Sequence, residues 1–169
     1  MRFKIRRLTQ DDTADYRALR LEALRDLPEA FFDSFKEADA RPEGYWTALF
    51  EGDFAYFGAF DATNLVGIVH TERKKGEKAA HKSWLYGMYV RADMRGSGCA
   101  QALVGAVLDH AKQDGAAQVQ LGVSAKNDRA RKLYEKAGFV PYGREPRGLK
   151  IGDTFVDQVF MVKFLDNER

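Results

Sequence analysis

Six consecutive residues, Arg95-Gly96-Ser97-Gly98-Cys99-Ala100, stand between a strand-like run at 84–90 and a helix-like run that follows directly. A turn in that position aims backbone N–H groups outward, and the helix behind it adds about half a positive charge at its N-terminus. Gly96 and Gly98 carry no Cβ to hold a ligand off the backbone. The chemistry on offer is the binding of an anion, a phosphate above all. The same residues also read as a plain tight turn ahead of a helix, and their spacing alone does not choose between the two. Other phosphate patterns are excluded: Gln101 stands where G-x-G-x-x-G needs its third Gly, and no Gly-Lys-Ser/Thr triplet occurs. Gly122-Val123-Ser124-Ala125-Lys126 lacks the last Gly of a hydrolase elbow. His70, His81 and His110 are scattered and HExxH is absent, so no metal site is expected.

One strand further on comes Asn127-Asp128-Arg129-Ala130-Arg131-Lys132-Leu133-Tyr134-Glu135-Lys136-Ala137-Gly138-Phe139. Asn127 has the position of a helix N-cap, and Ala130, Leu133, Tyr134 and Ala137 fall on one stripe. Asn127 and Tyr134, two turns apart, can face one ligand along its length. They can equally be a cap and a core aromatic with a wet tip.

These residues need a frame. Residues 3–8 read as a first strand. Thr9 and Asp12 have capping-box spacing, and Tyr16, Leu19, Ala23, Leu24 and Leu27 then recur at helical intervals. Residues 30–38 and 42–50 read as shorter helices, the second opened by Pro42. Residues 54–60 and 65–73 form a hairpin through Asp61-Ala62-Thr63-Asn64. Strand 84–90 follows, then a helix with Cys99, Leu103, Ala106, Val107 and His110 on one stripe, ending near Gly115. A strand at 118–123 and a helix at 127–137 come next, the helix stopped by Gly138 in a left-handed conformation. Residues 139–143 and 155–165 close the sheet. The fold class is α/β (α+β): a mixed sheet with helices on both faces, a three-layer sandwich, in a single domain spanning 1–169.

Composition sets outer bounds. The chain has 169 residues, 45% hydrophobic and 31% charged, with a net charge of +2, too small to argue for nucleic acid. One cysteine excludes an internal disulfide and fits a reducing compartment. No apolar run approaches the roughly 18–20 residues of a membrane span, and the start of the chain lacks a signal-peptide core. A cytoplasmic location, with no membrane partner, follows by default.

The combination of motifs is more specific than either part. Arg95-x-x-Gly98-x-Ala100 matches the acyl-CoA signature Q/R-x-x-G-x-G/A, and the run from Asn127 to Phe139 looks like the partner motif of the same family. The chain resembles the GNAT superfamily of acyl-CoA-dependent N-acetyltransferases; residues 19–31 and 143–149 look like a large, poorly characterised bacterial subgroup. The resemblance implies a mainly antiparallel sheet with two splayed parallel strands. It implies acetyl-CoA as co-substrate, its pyrophosphate on the backbone of Arg95, Gly96, Ser97, Gly98, Cys99 and Ala100. Met88, Tyr89 and Val90 would offer backbone groups to the pantetheine, and Asn127 would bind the CoA arm. Tyr134 would sit near the sulfur and protonate the departing thiolate. Cys99 holds the variable position of the motif, which argues against a nucleophilic thiol there.

The implied reaction is direct attack of an amine on acetyl-CoA in a ternary complex. With a pKa near 10.4, fewer than about one in a thousand lysine-like amines is neutral at pH 7. Strands 84–90 and 118–123 carry no carboxylate to act as base; His70, Glu72 and Tyr86 are the nearest groups by order, and none is singled out. Arg129, Arg131 and Lys132 read either as contacts to a terminal phosphate or as a solvated helix face. On the acceptor side, Glu29, Phe31, Phe32, Asp33, Phe35, Glu37, Tyr45 and Trp46 combine aromatics with carboxylates, which would suit a cationic amine. The expected partner is a small-molecule amine, with a homodimer left open as the assembly. A protein N-terminal or lysine acetyltransferase, and a non-catalytic acyl-CoA sensor, are the competing readings.

Overall fold

A computed structural model describes residues 3–166. Strands β1 (Lys4–Arg7), β2 (Phe54–Asp61), β3 (Asn64–Arg73), β4 (Lys82–Val90), β5 (Gln118–Ser124), β6 (Val140–Ile151) and β7 (Thr154–Phe164) form one sheet in the order β1-β2-β3-β4-β5-β7-β6. Every neighbouring pair is antiparallel except β4 and β5, which run parallel. Helices α1 (Thr13–Asp26), α2 (Phe35–Asp39) and α3 (Glu43–Ala48) cover one face; α4 (Cys99–Gln113) and α5 (Asp128–Lys136) cover the other. This is the mixed three-layer sandwich expected from the order of elements.

Strand alternation, shifted by a bulge at Val66 where Ala59 pairs with Gly67 and Phe60 with Leu65, builds two cores from one sheet. On β3, Leu65 and Ile68 pack with Tyr16, Leu19, Ala23 and Leu24 of α1. Val66 and Val69 pack the other way, against Cys99, Leu103, Val104 and Val107 of α4. The helix ends follow their sequence signals. Gly138 takes φ +91°, Phe139 donates its N–H to the Tyr134 carbonyl at 3.0 Å, and Gly138 donates to Glu135 at 2.9 Å. That bond pair is a Schellman stop, and it turns the chain straight from α5 into β6.

Two expectations are corrected. Residues 30–38 are not one helix: Pro28–Ala30 is a 3-10 turn, and helix resumes only at Phe35. Ser34 and Glu37 form a capping box, with Ser34 Oγ accepting from the Glu37 N–H at 3.2 Å, which fixes the later start. The last hairpin is also longer than expected. β6 continues through Ile151 and turns at Gly152, φ +57°. As an edge strand, largely exposed over its first half, it shows no alternation to read. Pro146 sits within a bulge between Glu145 and Leu149, where Asp157 accepts from the Arg147 N–H at 2.9 Å.

The feature that matters for function lies at the centre. The parallel pair is hydrogen-bonded only at Lys82↔Gln118, Ser83↔Val119 and Trp84↔Gln120. Beyond Trp84 the two strands part, while β5 stays paired with β7 as far as Ser124. The sheet therefore contains a wedge-shaped gap edged by the second half of β4.

Candidate active site

A bulge in β4 accompanies the gap. The β3–β4 register slips between Ile68 and His70, and Gly87 takes φ +64°. A Cβ at Gly87 would stand 2.6 Å from the His70 ring. Only glycine supplies both the left-handed backbone and the missing atom, and the extra residue bends the strand's far half. Met88, Tyr89 and Val90 then line a cleft of about 860 Å³. The opposite wall comes from Ser124, Lys126, Asn127 and the α5 residues Arg129, Ala130, Lys132, Leu133 and Lys136.

The glycine loop closes one end. Ser97 Oγ donates to the Met94 carbonyl at 2.6 Å and accepts from the Cys99 N–H at 3.3 Å, so this side chain builds the loop and does not line the cleft. Gly96 and Gly98 take φ +81° and +89° and line the cleft with Ala100 and Gln101. Among the described residues, the N–H groups of Gly96, Gly98, Ala100 and Gln101 meet no protein acceptor. Arg95 donates from Nε to the Val90 carbonyl at 3.0 Å, which leaves its Nη2 buried without a partner beside the same cleft. Unpaired donors at a helix N-terminus, with the buried Nη2 of Arg95 beside them, form a cradle suited to an anion. Five cations, Arg95, Lys126, Arg129, Lys132 and Lys136, line the cleft against two carboxylates, Asp26 and Glu29. These residues fit the phosphates of CoA. Arg131 is not among them; it pairs with Asp128 at 2.7 Å.

The third wall was not legible in the sequence. Asp26, Leu27, Pro28, Glu29 and Ala30 line the cleft from the end of α1. Tyr89 explains their position: its hydroxyl lies 2.6 Å from Asp26 and 3.0 Å from Glu22. Burial and these two carboxylates push the Tyr89 pKa well up, so the phenol stays a donor and ties α1 to β4. The only local signal was the Leu27-Pro28 break after a helical run.

Asn127 lines the cleft and caps α5, its Oδ1 accepting from the Ala130 N–H at 3.1 Å. Tyr134 lies behind its cleft-lining neighbours Ala130 and Leu133, buried in the α4-side core with its ring edge-on to Phe139 at 5.8 Å. It is not itself a cleft-lining side chain. Burial pushes its pKa up, and no hydrogen bond contributes. Cys99 is buried in the same core and does not line the cleft; desolvation raises its thiol to about 11, which leaves no thiolate for nucleophilic work.

A second cavity of about 390 Å³ lies on the α1–α3 side of the sheet. It gathers Asp33, Tyr45 and Trp46 from the expected acceptor group with His70, and it excludes the others. Phe32 is exposed, Phe31 is buried, and Glu37 is spent on the α2 cap. Glu72 pairs with Lys74 at 2.7 Å. His70 stacks between Tyr56 at 4.8 Å and Tyr86 at 5.6 Å. Desolvation, with Arg20 nearby, drives its pKa down to about 3. It is therefore neutral at pH 7 and a weak base.

That shift has a sign. Between pH 6.5 and 3 the unfolded chain protonates His70 and the folded chain does not, so stability falls as the solution is acidified through this window. The slope is at most about 1.4 kcal/mol per pH unit for one proton. Chemical denaturation of wild type and His70→Phe at pH 7, 6 and 5 checks it. The wild type loses stability and the variant loses measurably less; parallel losses would refute the assignment.

Residues 16–139 match the model of the Acetyltransferase (GNAT) family, and the chain belongs to that family. Its curated relatives include uncharacterized N-acetyltransferases of Mycobacterium tuberculosis and Mycobacterium bovis, each 37% identical over 78 residues, 46% of this chain. The match spans about half the length of those relatives, 49%. Among solved structures, YncA of Salmonella typhimurium, determined with its cofactor acetyl-CoA, aligns over 100% of this chain and 97% of its own. The TM-score is 0.85 at 16% identity, a likeness of fold. An N-acetyltransferase of Staphylococcus aureus aligns over 98% of this chain and 100% of its own, with TM-score 0.81 and 20% identity.

Proposed function

We propose that this chain transfers an acetyl group from acetyl-CoA to a primary amine of a small molecule. The observation that carries the donor half is the cradle: four unpaired N–H groups and the unpartnered Arg95 Nη2 at the mouth of the β4–β5 gap. The pyrophosphate lies on Gly96, Gly98 and Ala100, the cations of α5 meet the outer phosphate, and the pantetheine arm follows Met88, Tyr89 and Val90 into the gap. The neutral amine nitrogen attacks the thioester carbonyl carbon; a C–N bond forms and the C–S bond breaks. The departing sulfur needs a proton; Tyr134, held protonated by burial behind Ala130 and Leu133, supplies it once those side chains yield to the bound thioester, and the proton released by the amine then restores the phenol. The size of the second cavity favours a small acceptor over a protein one.

Thermal shift with acetyl-CoA is the first test. Binding to the folded state alone adds about 2.7 kcal/mol at 100 times Kd, so Tm rises by several degrees. Arg95→Gln shrinks the rise. No shift at millimolar acetyl-CoA would refute every CoA-based reading. Thiol release that depends on an added small amine then supports transfer. Bound acetyl-CoA without release across free amines and peptide N-termini would point to a sensor, and release with peptides alone to a protein acetyltransferase.

A further inference from the structure

The second cavity adjoins the place where the thioester must lie. His70 lines the cavity and packs against Gly87, Arg20 Nη1 lies 3.8 Å from where a Gly87 Cβ would stand, and the next residue, Met88, lines the cleft. The segment after α1 joins them again: Ala30 lines the cleft and Asp33 the cavity.

Its chemistry is one-sided. Asp33 is the single carboxylate in its wall, and it is already engaged. Arg41 holds it with two bonds, at 3.0 and 3.2 Å, and Arg20 Nη2 adds a third at 3.3 Å. Two guanidinium groups against one carboxylate leave a net positive charge. The Arg20 side chain is 11% exposed, and its Nη1 is buried without a partner. Trp46 Nε1 is also a buried, unpartnered donor. No hydrogen bond contributes at the Tyr16 or Tyr56 hydroxyl, and both residues line the same cavity. Orphaned buried donors are rare, and two of them on residues of one cavity wall call for an acceptor of hydrogen bonds. The aromatic walls do not offset this: Arg41 already covers the Tyr45 ring at 4.4 Å and Arg17 faces Trp46 at 6.0 Å, so these rings are taken by the protein's own cations. The cationic acceptor expected from the sequence loses its carboxylate partner.

We infer that this cavity binds an oxyanion carried by the acceptor, so that the substrate is a small amine bearing a carboxylate or similar group, with Arg20 as the residue that selects it. The inference rests on the transfer reading above and names its second substrate. The arrangement also assists the reaction, because nearby positive charge disfavours the ammonium form and leaves the nitrogen neutral for attack.

The test uses matched acceptors: α-amino acids, their uncharged amides, and aminophosphonates. Thiol release from acetyl-CoA should show kcat/KM about 10–100-fold higher for an acid than for its amide, the discrimination a charged hydrogen bond supplies. The better of the acid and phosphonate series identifies the oxyanion. Arg20→Gln should raise KM for the acid by about tenfold and erase the preference, while Arg20→Lys restores part of it. Equal or better use of the amides, or an unchanged preference in a folded Arg20→Gln protein, would overturn the inference. Calorimetric titration of the same acids onto the CoA-bound protein separates the two readings. Arg20-dependent binding without turnover keeps the oxyanion site and sinks transfer; turnover of amides with no acid binding keeps transfer and sinks the site.

Discussion

Gly87→Val lowers the melting temperature by about 6–12 °C and abolishes stabilisation by acetyl-CoA. Two costs add at this position. A β-branched residue at φ +64° carries strain of about 1–3 kcal/mol. The new Cβ also stands 2.6 Å from the His70 ring, which is stacked between Tyr56 and Tyr86 and cannot swing aside, an overpacking cost of about 1–3 kcal/mol. Together they come to about 2–6 kcal/mol; at about 3 kcal/mol, and about 2–4 °C of Tm per kcal/mol in a chain of this length, the fall is about 6–12 °C. Relief by straightening β4 would remove the bulge and narrow the gap proposed for the pantetheine arm. Gly76→Ala is the control: φ is +91°, but a Cβ there meets nothing within 4 Å, so only about 1 kcal/mol is lost and ligand binding is kept. A Gly87→Val protein that melts within 2 °C of wild type would show that the bulge is not what shapes this strand.

Gly87 also marks where sequence reading stops. The Arg95–Ala100 loop, the Asn127 cap and the Gly138 stop were legible because each is a local signal: spacing, a capping side chain, a left-handed glycine. The mainly antiparallel sheet and its splayed parallel pair followed once those motifs had fixed the family resemblance. A single glycine inside an apolar strand carried no such signal, since a bulge is defined by its register against β3, which is a long-range fact. The same holds for the wall at Asp26–Ala30. Nothing near those residues points at the cleft; it is Tyr89, sixty residues later, that holds them there. Asp33 shows the converse. Its carboxylate is visible in sequence and suits a cationic ligand, but its ion pairs with Arg20 and Arg41, which converge on it from other turns of the chain, are not.

In the proposed transfer the two cavities divide the reaction between them, and Tyr134 would report on the donor side alone. In Tyr134→Phe, kcat falls by about 10–100-fold, toward the lower end of what a positioned acid contributes, because a thiolate leaves readily without help. Affinity for acetyl-CoA stays within about threefold: the side chain stands behind Ala130 and Leu133 and does not line the cleft. Stability changes little as well, since the hydroxyl has no hydrogen-bond partner to leave unsatisfied and the ring stays edge-on to Phe139. Burial holds the phenol pKa above its ordinary value, so the acid remains protonated throughout the range in which the amine becomes neutral. The wild-type rate should therefore rise with pH as the amine deprotonates and show no descending limb from Tyr134 below about pH 10. Steady-state kinetics across pH, paired with direct titration of acetyl-CoA, checks both statements. A variant with unchanged kcat would remove Tyr134 from the proton path. One that loses turnover and affinity in equal measure would make it part of the binding wall instead.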